Sequence, residues 1–116
     1  MEMIDDARFD ELLDAAIRDL PPGIEEFMDN VALFVDDEAP PEAPDILGCY
    51  DGIPLTERDG SWGFVPPDTI SLFKNNLIDY ARDEEHLQEE IRITIVHEIA
   101  HHYGIDDERL HELGWG

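Results

Sequence analysis

With 116 residues, 42% of them hydrophobic, the chain holds enough apolar material for one modest core, which predicts a single domain over residues 1–116 and excludes a large separate substrate-binding lobe. Its 30 acidic against 7 basic side chains give a formal net charge of -23, a field that repels nucleic acid and anionic membrane and favours basic peptides or partners. No signal-peptide pattern or membrane-length apolar run is present, and Cys49 is the single cysteine, so a cytoplasmic protein with no internal disulfide and no cysteine-based metal site is expected.

In chain order, Phe9, Leu12, Leu13, Ala16, Ile17 and Leu20 fall at helical spacing, and Pro21-Pro22-Gly23 stops that helix. A short helical turn over residues 24–28 precedes a compact apolar run, 31–35, that reads as a buried strand. Residues 36–45, rich in proline and acid, read as an exposed loop. Residues 47–50 and 53–56 flank Asp51-Gly52, a hairpin signal, and Pro54 marks residues 52–56 as a sheet edge to which an extended peptide could add. After a second break at Asp59-Gly60, Trp62 and Phe64 are core or pocket-lining residues, and residues 69–73 form another strand. Leu77, Ile78 and Ala81 suggest a short helix. Cys49 is expected to be a small buried residue.

A long helix then begins near Asp83. Leu87, Ile91, Ile95, Ile99 and Tyr103 recur every four residues, with Val96 and Ala100 alongside. Its β-branched residues, Ile91, Ile93, Thr94, Ile95 and Val96, lower helix propensity, so tertiary burial must hold it. This helix carries His97-Glu98-Ile99-Ala100-His101, continued by Gly104 and Asp107. Residues four apart differ by about 40° around the axis, so His97 and His101 can converge on one divalent ion. Glu98 is turned aside, where it can act on an activated water. HExxH alone would arise by chance in a few per cent of chains this rich in Glu, but adding the Gly and Asp lowers that to roughly a few in ten thousand.

The third ligand is assigned to Asp107, which Gly104 can bring back by turning the chain sharply. Asp107 could instead charge-complement a last helix containing Leu110 and Leu113; His111 is the rival ligand and Glu108 a more distant one. His102 points about 100° away from His101 and reads as a surface or supporting group, and His86 as solvated. Tyr50, Tyr103 and His102 are candidate donors to an oxyanion.

Three blocks, LGCYDGIPLTERDG (47–60), PPDTISLFKNNL (66–77) and RITIVHEIAHHYGIDDERLHELGW (92–115), resemble the small bacterial zincin-like metallopeptidases. The resemblance implies an α+β minimal zincin-like fold, a small mixed sheet packed on an N-terminal helix and the C-terminal HExxH helix. It implies zinc bound by His97, His101 and a residue just past Gly104, with Glu98 as catalytic acid/base. Metzincins usually place His at the third-ligand position and a Met-containing turn downstream. Here Asp107 stands there and Met1, Met3 and Met28 all lie upstream, so the chain departs from that group.

The expected activity is zinc-dependent hydrolysis of peptide bonds in a peptide or protein substrate. Two other classes fit the same residues: a catalytically weak zinc-binding regulatory module, and an acidic protein that sequesters a basic partner. Substrate preference and oligomeric state are not encoded in these patterns.

Overall fold

A computed structural model describes residues 4–29, 31–52 and 68–115. Its elements run α1 (Asp6–Arg18), a 3-10 turn (Ile24–Phe27), β1 (Val31–Asp36), β2 (Gly48–Asp51), β3 (Asp68–Phe73), α2 (Lys74–Tyr80), α3 (Glu84–His102) and α4 (Asp107–Leu113). The fold is α+β. The expected strand at 53–56, most of the edge at 52–56, and Trp62 and Phe64 lie outside the described residues. No helix among the described residues is long and apolar enough to cross a membrane.

Helix α1 starts earlier than its apolar pattern, because the Asp5 carboxylate accepts from the Arg8 amide at 2.8 Å and satisfies a first-turn donor. It buries Phe9, Leu12 and Ala16 along one stripe. The Arg8 guanidinium forks onto Glu84 at 2.7 and 3.1 Å, tying α1 to the start of α3. The turn after α1 is made by Gly23 at φ 90°, where a Cβ would be strained.

The three strands are ordered β1-β3-β2, with β1 parallel and β2 antiparallel to β3. Central β3 buries Asp68, Ile70 and Leu72 on one face by simple alternation. Register pairs Gly48 with Leu72 and Tyr50 with Ile70, so Gly48 and Tyr50 share that face. The expectation of a buried strand at 31–35 is corrected. β1 lies at the sheet's edge, and Phe34 is 53% exposed, because a strand paired on one side only is not covered like a central one.

Helix α3 packs against α1, α2, β2 and β3. Leu87, Ile91, Ile95 and Ile99 are fully buried, with Thr94, Val96 and Ala100 beside them, so burial offsets the low propensity of the β-branched run. Asp83 caps its start by accepting from the His86 amide at 2.8 Å. At its end Ile105 N–H donates to Ala100 O at 2.8 Å and Gly104 N–H to His101 O at 3.2 Å, with Gly104 at φ 72°. That is a Schellman stop. Helix α4 stops the same way at Gly114, and buried Trp115 lands edge-on against Phe27 at 5.4 Å.

Candidate active site

The outward face of α3 presents Glu90, Ile93, Thr94, His97, Glu98 and His101 to a cleft of about 500 Å³. The facing wall is Asp45, Ile46, Leu47 and Gly48, with Tyr80 at one end. The two sides come close because Gly48 has no side chain. A Cβ there would meet Ser71 O and Thr94 Cγ2, each at 2.8 Å, so only glycine lets α3 lie this close to β2 without displacement.

His97 and His101 stand one turn apart with ring centroids 5.9 Å apart and planes 30° from parallel. A tetrahedral zinc with Zn–N bonds of 2.0–2.1 Å would set two imidazole centroids about 5 Å apart. The observed spacing is close to that, and two neutral imidazoles suit a divalent first-row ion. Among the described residues, no group of three His, Cys, Asp or Glu side chains is gathered closely enough to hold a metal ion. Asp107 is therefore not brought to the imidazole pair. It lies exposed in the first turn of α4, where its charge complements the helix dipole, while Asp106 caps that helix by accepting from Arg109 N–H at 2.8 Å. His111, exposed in the last turn of α4, and Glu108 do not join the pair either.

Glu98 is half-buried beside the pair. Burial pushes its carboxyl above the usual carboxylate range; His101 and a hydrogen bond from the main-chain N–H of Tyr50 act in the opposite direction. That bond runs from the outer side of β2 to α3. Tyr50 is itself clamped: its hydroxyl donates to Asp68 Oδ2 at 2.7 Å, and its ring stacks on His102 with centroids 3.9 Å apart. Burial, then the Asp68 carboxylate, raises the phenol pKa strongly. His102 Nε2 stands 3.9 Å from the same Asp68 oxygen, so His102 is a supporting group that packs the strand against the helix. Tyr103 meets Phe27 edge-on at 5.0 Å and the His102 ring at 5.0 Å, and it adds to the upward push on the Tyr50 phenol. Of the three candidate oxyanion donors, Tyr50 reaches Glu98 through its main-chain N–H, while its hydroxyl is committed to Asp68.

The zincin-like metallopeptidase family profile matches residues 28–115. The chain belongs to the zincin-like metallopeptidases. This zincin-like protein is also similar in structure to a conserved hypothetical protein from Thermus thermophilus, with a TM-score of 0.55 and 24% identity over 86% of this chain and 94% of the other. That likeness concerns the fold alone. No curated protein matches the chain.

Two residues around the cleft of the zincin-like protein, Asp68 behind Tyr50 and Glu90 in its lining, are not singled out by the sequence. Asp68 precedes the strand expected at 69–73, but its parity with Ile70 and Leu72 is a signal that it faces inward. Glu90 sits seven residues before His97, two turns along the same face, a spacing legible once the helix is accepted. His86, expected to be solvated, is built in: its Nδ1 accepts from Arg82 N–H at 3.0 Å and its Nε2 lies 3.3 Å from Glu90 Oε1. Cys49 is half-buried rather than buried, with its thiol pKa pushed up first by burial and then by Glu98.

Proposed function

We propose that this zincin-like protein is a zinc-dependent peptidase, in which His97, His101 and Asp107 hold the ion and Glu98 is the general base. A zinc ion supplies Lewis acidity toward a water molecule and a carbonyl oxygen. The chain's own residues do the rest. Glu98 accepts the proton of the attacking water and returns it to the departing amine nitrogen, and its raised pKa makes it a stronger base toward that water than an ordinary carboxylate. The Tyr50 N–H holds Glu98 on the cleft side of α3. The side chain of Tyr50, fixed by Asp68 and His102, keeps that donor in place.

The observation that carries this reading is the shared cleft: the imidazole pair and a half-buried, desolvated carboxylate open into one cavity large enough for part of a peptide. The assignment of Asp107 rests on the motif spacing and on a carboxylate left exposed. The test is Glu98→Gln, which should retain zinc stoichiometry and lose hydrolysis of a diverse peptide pool. Asp107→Ala should weaken zinc binding far more than His111→Ala, and the opposite order would transfer the role to His111. Should fully zinc-loaded wild type cleave nothing in such a pool, a non-catalytic metal-binding module replaces the peptidase reading.

A further inference from the structure

Beyond the imidazoles, the cleft has a second end. Its walls there are Ile46, Leu47, Ile93 and the ring of Tyr80, which is 57% exposed, and its inner charged group is Glu90. The Glu90 side chain is only 13% exposed, and its partner is the His86 imidazole at 3.3 Å. His86 Nδ1 accepts the Arg82 N–H, which turns Nε2 toward Glu90 Oε1. The carboxylate is thus oriented, but its charge is not neutralised by any Lys or Arg among the described residues. The other ionisable groups lining the cleft are acids or the His97–His101 pair: Asp45 at the rim and Glu98.

We propose that this end of the cleft is the specificity pocket of the site, taking a lysine or arginine side chain of a peptide substrate at a residue flanking the scissile bond. The inference rests on the peptidase reading and names its substrate class. Aliphatic walls fit the methylene stem of such a side chain, the Tyr80 face suits a cation, and Glu90 receives the charged end. The register agrees. At 1.5 Å of rise per residue, Glu90 lies about 10 Å along α3 from His97. A lysine side chain spans roughly 6 Å, and the remaining distance is about one residue of extended backbone. An acidic residue at that position would meet like charge.

The test uses zinc-loaded Glu98→Gln protein and fluorescein-labelled decapeptides that differ at one central position: Lys, Arg, norleucine or Glu. Binding is read by anisotropy. Lys and Arg peptides should bind at least about tenfold more tightly than norleucine, and Glu most weakly. Adding Glu90→Gln, which keeps an acceptor for His86, should remove the preference, so that Lys, Arg and norleucine peptides bind alike. Asp45→Asn, at the exposed rim, should reduce it only partly. General attraction by the acidic surface would instead reward Lys at any position and survive Glu90→Gln; that result overturns the proposal, as does equal binding of Lys and norleucine peptides. Cleavage by zinc-loaded wild type is scored separately. Hydrolysis without basic preference sinks the pocket and spares the peptidase reading, whereas Glu90-dependent binding without hydrolysis does the reverse.

Discussion

Replacing Gly48 with Ala sets two general expectations against each other. Gly48 is not in the left-handed region, so the backbone would accept Ala, and reduced freedom of the unfolded chain alone would stabilise the protein by about 0.4–1 kcal/mol. The structure predicts the opposite sign. The new methyl would lie 2.8 Å from both the Ser71 carbonyl oxygen and Thr94 Cγ2, and 3.5 Å from Leu72 Cδ2. One obstacle is β3 backbone and another sits on buried α3, so neither yields as a flexible side-chain tip would. Overpacking of this kind costs about 1–3 kcal/mol. Set against that gain, the net loss is about 1.3 kcal/mol, which at roughly 4 °C per kcal/mol for a domain of this size lowers Tm by about 5 °C. The measurement is thermal unfolding of the metal-free protein by circular dichroism. Thr94→Ser, which removes Cγ2, should recover part of the loss in the double variant. A Gly48→Ala protein as stable as wild type, or more so, would show that α3 does not lie on β2 as described, and the cleft with its Tyr50–Glu98 bond would go with it.

Glu98→Gln should stabilise the metal-free protein at neutral pH. Burial holds the folded carboxyl pKa above its unfolded value, so the ionised form is penalised; the penalty is absent below the unfolded pKa and complete once pH exceeds the folded one. Paired melts from pH 4 to 8 should therefore show a gap in favour of Gln that opens with rising pH, and a gap of the other sign would mean that Glu98 is not desolvated. Tyr50→Phe removes a 2.7 Å hydrogen bond to a buried carboxylate, which should cost about 1.5–3 kcal/mol in urea unfolding; a neutral result would refute the clamp on β2.

What the sequence made legible follows the strength of each local pattern. Helix α3 was readable because its apolar residues recur every four positions and Asp83 and Gly104 punctuate its ends. The HExxH face follows from that helix by geometry alone. The apolar residues at 31–35 specify a strand but carry no information about which side of the sheet is covered; that depends on β3 pairing between β1 and β2. The bond from Tyr50 to Glu98 was out of reach for the same reason, since it joins strand and helix only after the sheet order is known. The last acids were ambiguous because Asp106, Asp107 and Glu108 suit a helix start as well as a metal, and in this structure the helix start uses Asp106 and Asp107.

That ambiguity makes a claim about motion. If Asp107 is the third ligand, its carboxylate must approach the imidazole pair, yet it belongs to the first turn of a helix anchored at both ends. The Schellman stop at Gly104 fixes the chain before α4, and buried Leu110 and Trp115, the latter against Phe27, fix it behind. Asp107 cannot move far alone without unwinding the turn that Asp106 caps. Zinc binding should then shift or tighten α4 as a body, and binding energy directed at the folded form appears as added stability. Hydrogen exchange with and without zinc measures this: amides over 105–113 should slow together with those near 97–101. Trp115→Ala, which releases the rear anchor, should weaken zinc binding even though Trp115 carries no ligand. Protection confined to α3, with Trp115→Ala leaving zinc affinity intact, would place the third donor outside α4 and remove Asp107 from the site.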